Sequence, residues 1–162
     1  MEAIEIRTAT LGDAGAVAAY HRRCFENSYS SELLAGELEA PGLGEMRQQL
    51  QGWFRPESEL TTLAAVVDDV PIGHFTVHGP RLVHLFVEPE HQGIGLGRRL
   101  LAQAEATMAA DGYTDFELHT RIDNHAGITF YEAAGWSMTD DLIHTVEFGV
   151  SYDEHVLVKR RP

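Results

Sequence analysis

Hydrophobic and polar residues alternate with two different periods along this chain, and these periods distinguish predicted strands from predicted helices. Stretches in which apolar residues alternate, or form a short run between turn residues, are typical of strands. This pattern predicts seven strands, at residues 4–8, 61–67, 70–78, 81–87, 115–121, 136–146 and 152–159. Apolar residues at helical spacing predict four helices, around residues 14–24, 45–54, 96–112 and 126–134. Residues 29–44 are predicted as a loop or a short helical piece.

The order of these elements predicts a mixed α/β fold. It reads strand, two helices, three strands, helix, strand, helix and two strands. The helix between the fourth and fifth strands is a crossover, which makes those two strands parallel neighbours, whereas short connections make the other neighbours antiparallel. With 162 residues, the chain has the length of one domain, and we take residues 1–162 as that domain.

The first informative motif is a glycine-rich turn between the fourth strand and the following helix. It reads Gln92-Gly93-Ile94-Gly95-Leu96-Gly97-Arg98. Glycines allow backbone N–H groups to approach a ligand, and a helix N-terminus favours an anion, so the turn predicts a site for a phosphate-bearing ligand. The spacing fits neither the dinucleotide fingerprint nor a P-loop, which makes a nucleotide-binding domain the weaker alternative.

The second motif runs from Asn124 to Trp136 and contains Phe130-Tyr131 and Gly135. Taken alone, these residues also fit ordinary structural roles. Asn124 is a suitable N-cap, the two aromatic residues suit a core, and Gly135 suits a helix C-cap.

Together, the two motifs resemble those of the GNAT superfamily of N-acetyltransferases. The resemblance rests on Gln92-x-x-Gly95-x-Gly97 after the strand, and on Asn124 before the helix that carries Phe130-Tyr131. It implies a central twisted, mostly antiparallel sheet of about seven strands with one parallel pair, flanked by about four helices. It also implies acetyl-CoA as the cofactor and transfer of its acetyl group to a primary amine of a small molecule or peptide.

The resemblance further implies roles for individual residues. The backbone of Leu85, Phe86 and Val87 pairs with the pantetheine arm, and an N–H near Phe86 or Val87 polarises the thioester carbonyl. Tyr131 lies near the sulfur and protonates the departing thiolate. The implied cofactor-binding set is Leu85, Phe86, Val87, Gln92, Gly93, Ile94, Gly95, Leu96, Gly97, Arg98, Asn124 and Tyr131.

The general base has several candidates. His119 lies on the fifth strand, five residues before Asn124, and imidazole has a suitable pKa for this role near neutral pH. His84 and Glu88 are alternatives, as is a chain of water molecules without a single base. We take His119 and Tyr131 as the catalytic pair.

The chain is strongly acidic, with 25 Asp and Glu against 12 Lys and Arg and a formal charge of −13. Such a charge opposes binding to nucleic acid and to anionic membranes, and it favours a cationic amine. The resemblance implies that the acceptor binds near the first two helices and the loop between the last two strands. Acidic and tyrosine side chains in these regions could attract an ammonium group, but they are explained equally well as solvated surface residues: Tyr29, Glu32, Glu37, Glu39, Asp140, Asp141, Tyr152 and Asp153.

Cys24 is the only cysteine, and it lies outside both motifs, so we expect direct attack without a covalent enzyme intermediate. His74 and His78 have helical rather than strand spacing for a shared metal with His84 and His119, so no metal is expected. Without a signal peptide or a long apolar run, a cytoplasmic location is the expectation. A homodimer stays open, and a non-catalytic acyl-CoA sensor on the same fold is the rival interpretation.

Overall fold

The computed structural model describes residues 2–28, 43–147 and 150–161. Seven strands of this part of the chain form one sheet, in agreement with the sequence prediction. Their bounds are Glu5–Thr8 (β1), Thr61–Val67 (β2), Val70–His78 (β3), Arg81–Val87 (β4), Asp115–Arg121 (β5), Ser137–Glu147 (β6) and Val150–Arg160 (β7).

Four α-helices flank the sheet within the described residues. They are Ala14–Ser28 (α1), Leu43–Trp53 (α2), Leu96–Ala110 (α3) and His125–Ala133 (α4). Short 3-10 turns precede α1 and follow β4, at Leu11–Asp13 and Pro89–His91. None of the helices in this part of the chain is long and apolar enough to span a membrane. Most of the predicted loop at residues 29–44 lies outside the described residues.

The strands follow the order β1-β2-β3-β4-β5-β7-β6 across the sheet. β4 and β5 run parallel, and the other neighbouring strands are antiparallel. The predicted fold class is therefore confirmed, including its one parallel pair.

Each face of the sheet carries its own buried core. On one face, Leu100 and Met108 of α3 pack with Phe75 and Leu118 of the sheet. On the other face, α1 and α2 pack against β2. This second core contains Val17, Tyr20, Leu50, Ala64 and Val66. Because side chains alternate along a strand, neighbouring residues of the central strands serve opposite faces.

The two central strands separate soon after they meet. β4 and β5 pair only at Arg81 with Glu117 and at Leu82 with Leu118. The pairing of β3 with β4 continues to Val87, and that of β5 with β7 continues to Arg121. The sheet therefore contains an open wedge between β4 and β5, which leaves backbone groups on both edges available to a ligand.

Candidate active site

A cavity of about 530 Å³ brings the two sequence motifs together. Among the predicted cofactor-binding residues, only Ile94 and Leu96 are absent from its wall. The Ile94 side chain points to solvent, and the Leu96 side chain is buried in the core. The other predicted residues line the cavity: Leu85, Phe86, Val87, Gln92, Gly93, Gly95, Gly97, Arg98, Asn124 and Tyr131. Among the described residues, Cys24, Ala126, Gly127 and Phe130 line it as well.

The glycine loop has a backbone shape that requires glycine at two positions. Gly93 and Gly95 have φ angles of 79° and 85°, in the left-handed region that residues with a side chain rarely adopt. Gly95 is the N-cap of α3. The N–H groups in the first turn of that helix have no partner within it, so they are available to an anion.

Three polar side chains around the loop have different tasks. Gln92 donates a hydrogen bond of 2.9 Å from Nε2 to the carbonyl oxygen of Val87, which fixes the loop to the end of β4. Arg99 donates to the carbonyl oxygen of Ile4 at 3.3 Å and is thus tied to the N-terminal segment. Arg98 instead lines the cavity and supplies a positive charge there.

The open edge of β4 faces the cavity with alternate backbone groups. The N–H of Glu88 donates to Ile72 on β3 at 2.8 Å. Since backbone groups alternate along a strand, the N–H of Phe86 also points toward β3, and the N–H of Val87 points into the wedge. The carbonyl oxygen of Val87 is already occupied, because it accepts from Gln92 and from the Cys24 thiol at 3.0 Å.

Asn124 caps α4 and fixes the end of β5. Its Oδ1 accepts from the N–H of Gly127 at 3.1 Å, and its Nδ2 donates to the hydroxyl of Thr120 at 3.0 Å. A Cβ at Gly127 would lie 2.3 Å from that Nδ2, so the cap depends on glycine there. The N-cap interpretation is confirmed, and a contact of Asn124 with the cofactor stays a prediction. Gly127 was not among the predicted site residues, although its place three residues after a capping Asn was a usable signal.

Tyr131 presents a protonated hydroxyl to the cavity. Its ring lies against those of Phe130 and Trp136, with centroids 5.2 and 6.2 Å away. Burial raises the pKa of Tyr131 above its usual value, so the phenol keeps its proton at neutral pH. No residue in the described part of the chain accepts a hydrogen bond from this hydroxyl, which leaves the proton for a ligand.

His119 is paired with a carboxylate that the sequence analysis did not select. Its Nε2 lies 2.5 Å from Oε1 of Glu117, two residues earlier on β5. Residues two apart on a strand share a face, and this spacing was the available signal. The pair lies on the sheet face of α1 and α2. His119 is not part of the cavity wall, but it is the first residue of β5 beyond the last pair with β4.

The two alternative bases are engaged with other side chains. His84 shares a face with Phe86, and its Nδ1 lies 3.5 Å from Nε2 of His74. Burial, followed by nearby charges, lowers the pKa of His84 well below its ordinary value. Glu88 binds Arg23 at 2.5 Å and His91 at 3.1 Å. Neither group is as free to accept a proton as His119, whose Nδ1 has no partner among the described residues.

The four histidines considered for a metal do not converge on one point. His74 and His84 are neighbours, His119 contacts Glu117, and exposed His78 lies 3.6 Å from Glu59. The described residues contain no group of three or more metal-ligating side chains positioned for an ion.

Cys24 lies in α1 and is a buried free cysteine. Burial raises the pKa of its thiol to about 11. It is thus an uncharged hydrogen-bond donor at neutral pH. The structure adds that it also contacts the cavity, which its distance from both motifs did not reveal.

The acidic residues expected near the substrate are only partly described. Tyr29, Glu32, Glu37 and Glu39 lie outside the described residues. Asp140 and Asp141 are exposed, and Asp153 accepts from His144 at 2.9 Å. Tyr152 lies under the guanidinium of Arg121, which is 4.8 Å from the ring centroid.

A seven-stranded mixed sheet with one parallel pair, an open wedge and a glycine-rich loop at a helix N-terminus is the architecture of the acetyltransferase (GNAT) fold. The chain belongs to the acetyltransferase (GNAT) family, whose profile matches residues 14–136. This family uses acetyl-CoA, and the resemblance identified from the two motifs is therefore confirmed.

Curated relatives are acetyltransferases as well. The chain is 33% identical over 105 residues to mycothiol acetyltransferase of Kocuria rhizophila, covering 58% of this chain and 35% of that protein. It is 33% identical over 73 residues to probable N-acetyltransferase family 8 member 5 of Mus musculus, covering 45% and 31%. The chain thus spans about a third of the length of these two relatives.

Solved structures of low sequence identity share the fold along almost the whole chain. The PaiA N-acetyltransferase of Thermoplasma acidophilum, solved in complex with coenzyme A, has a TM-score of 0.76 at 21% identity, covering 98% of this chain and 99% of that one. Apo YjaB of Escherichia coli has a TM-score of 0.71 at 21% identity, covering 96% and 97%.

Proposed function

We propose that this protein transfers an acetyl group from acetyl-CoA to a primary amine of a small molecule or peptide by direct attack of the amine. One observation carries the proposal. The same cavity is lined by an anion-binding glycine loop, by the open edge of β4 and by the hydroxyl-bearing side chain of Tyr131. An acyl-CoA transferase needs these three parts for the diphosphate, for the pantetheine arm and for the leaving sulfur.

The residues present fit coenzyme A. The N–H groups at the start of α3 suit a diphosphate without adding charge, and Arg98 adds one cation in a protein that carries −13. The free edge of β4 suits the amides of pantetheine, which would extend the sheet like another strand. When bound, acetyl-CoA supplies an activated thioester. Residues of this chain bind the substrates, take the proton from the amine and give a proton to the leaving sulfur.

His119 is the proposed base. Glu117 accepts from its Nε2–H, which orients the ring and leaves Nδ1 as the proton acceptor, as a carboxylate does for a catalytic histidine in other enzymes. An amine enters the wedge as ammonium and must lose a proton to become a nucleophile. His119 lies just beyond the last β4–β5 pair, so its ring can take this proton from an amine bound in the wedge.

Two groups on the cofactor side complete the chemistry. The N–H of Val87, which points into the wedge, donates a hydrogen bond to the carbonyl oxygen as negative charge develops there. Tyr131 gives its proton to the sulfur as the C–S bond breaks. The raised pKa of this phenol keeps it in the acid form that the step requires.

A thiol-release assay with the full chain tests this function. The protein is mixed with acetyl-CoA and a panel of amines and amino acids, released thiol is followed, and products are identified by mass spectrometry. We expect thiol release that depends on the amine and a product acetylated on nitrogen. If acetyl-CoA binds but no amine stimulates thiol release, the protein is a sensor and the proposal is wrong.

A further inference from the structure

Two buried side-chain nitrogens in the described part of the chain have no hydrogen-bond partner: Nδ1 of His21 and Nε of Arg81. Such atoms are rare in folded proteins, because a buried polar group without a partner has lost its hydrogen bonds to water and gained none in return. Both belong to elements that meet at His84, since Arg81 lies three residues before His84 on β4 and His21 lies on α1. The ring of His21 is 5.1 Å from that of His84 between centroids. Arg81 is close enough to contribute, after burial and the other two histidines, to the lowered pKa of His84.

Arg81 is a cation without a carboxylate partner among the described residues. Its ladder neighbour on β5 is Glu117, but the carboxylate of Glu117 contacts His119 instead. Two other cations that are as little exposed as Arg81 do have carboxylate partners: Arg7 lies 2.8 Å from Asp13, and Lys159 lies 3.1 Å from Glu105. A partly buried guanidinium left unpaired in a protein with more than twice as many acids as bases indicates a site for an external anion.

The surroundings make this site cationic at neutral pH. Burial lowers the pKa of His21 to about 4 and, together with the effect of His21, lowers that of His74 to about 3. These rings and that of His84 are uncharged, so Arg81 supplies the charge. Trp53 and Phe86 flank the same rings, at 4.7 Å from His84 and 4.2 Å from His21. A single guanidinium among uncharged, aromatic walls suits a carboxylate, which has one charge and a planar edge.

The anion site is next to the proposed base. Arg81 and Glu117 are partners in the β4–β5 ladder, and Glu117 holds His119. Resting on the proposed function, we propose that the acceptor is an amino acid or a similar amine whose carboxylate binds Arg81 and the Nδ1–H of His21 while its amino group reaches His119. The site thus selects amines that carry a carboxylate within a few bonds of the nitrogen.

Matched substrates test this selection. We compare L-phenylalanine, its amide and phenethylamine, and L-lysine with its amide and cadaverine, as acceptors for the wild type, Arg81→Gln and Arg81→Lys. Arg55→Gln, which removes an exposed arginine, is the control for loss of one charge. For the wild type, we expect kcat/KM to be at least about tenfold higher for the acid than for its amide or amine. The difference should come from a lower KM for the acid. Arg81→Gln should abolish this preference for the acid over its amide, and Arg55→Gln should keep it.

Equal rates for the acid and its amide with the wild type would overturn the inference. A preference for the acid that survives in Arg81→Gln would also overturn it, provided that this variant keeps its thermal unfolding and its coenzyme A binding. Saturation-transfer NMR of the same compounds on coenzyme A-loaded protein separates the two proposals. Binding of the amino acid that is lost in Arg81→Gln supports the carboxylate site even without turnover, and a lack of turnover then counts against the proposed function alone. If the amino acid binds no better than its amide, the carboxylate site is wrong.

Discussion

The imidazole of His119 is held by the carboxylate of Glu117, with 2.5 Å between Nε2 and Oε1. The side chain of His119 is 8% exposed, whereas that of Glu117 is 45% exposed. The carboxylate therefore fixes the tautomer and the orientation of a ring that is largely shielded from water, and the opposite nitrogen is left free. This pair is the arrangement expected of a general base with an orienting residue.

Removing the ring should slow the reaction more than removing its carboxylate partner. We expect His119→Gln to lower kcat about 100-fold or more, in the range typical of general-base catalysis, and Glu117→Gln to lower it about tenfold. Coenzyme A affinity should be unchanged in both variants. His78→Gln removes an exposed histidine at the end of β3 and is the matched control. Equal kcat for wild type and His119→Gln would instead favour a chain of water molecules as the base.

The proton of Tyr131 should matter for turnover but not for cofactor binding. Because the phenol is the proposed acid, Tyr131→Phe should reduce kcat about 10- to 100-fold and leave the affinity for coenzyme A within about twofold. Tyr113→Phe, at a partly exposed position, is the matched control. A parallel loss of coenzyme A affinity would show that Tyr131 acts in binding, and the assignment of the acid would then be wrong.

Cys24 contacts the cavity, but its thiol is not activated. Burial raises the pKa of this thiol to about 11, so little thiolate exists at neutral pH. Its S–H group already donates a hydrogen bond to the carbonyl oxygen of Val87. We expect Cys24→Ala to keep kcat within about threefold of wild type, and alkylation of the native thiol to be slow at pH 7. Loss of turnover in this variant, together with an acetylated wild-type chain in mass spectra, would contradict direct attack.

The buried histidines should make the protein sensitive to moderate acid. Their folded-state pKa values are lowered, to about 4 for His21 and about 3 for His74, whereas the unfolded chain titrates near pH 6.5. Below pH 6.5 these histidines therefore bind protons in the unfolded state but stay neutral in the folded state. Stability is fully present above that pH and falls as the pH drops toward 4.

With His84, three such groups give a slope of up to about 4 kcal/mol per pH unit in the free energy of unfolding. Urea unfolding between pH 8 and pH 5 measures it. His21→Phe, which removes one titrating ring, should reduce the slope by about a third, while His78→Gln, at an exposed site, should leave it unchanged. A free energy of unfolding that is flat over this range would show that these rings are hydrated.

The local parts of this fold follow from the sequence, and the parts that depend on tertiary contacts do not. The bounds of β2, β3, β4 and β5 agree with prediction because alternation and turn residues mark them locally. The glycine loop follows from Gly93 and Gly95, whose positive φ angles are a property of the residue type.

The histidine cluster could not be predicted in the same way. His21 comes from α1, His74 from β3 and His84 from β4, and a bulge at Thr76 and Val77 sets which side chains of β3 and β4 meet. Spacing along the chain contains no information on this register. The missing partner of Arg81 is equally a tertiary property, because it results from Glu117 turning to His119.

Calorimetric titration of acetyl-CoA into the wild-type protein, Gly95→Ala and Gly52→Ala tests the cofactor site most directly. Gly95 needs a left-handed backbone at the start of α3, whereas Gly52 lies in α2 with open space around an added Cβ. We expect one site per chain in the wild type, binding at least about tenfold weaker in Gly95→Ala, and wild-type binding in Gly52→Ala. No binding to the folded wild-type protein, or equal binding to Gly95→Ala, would contradict a cofactor held by the loop amides.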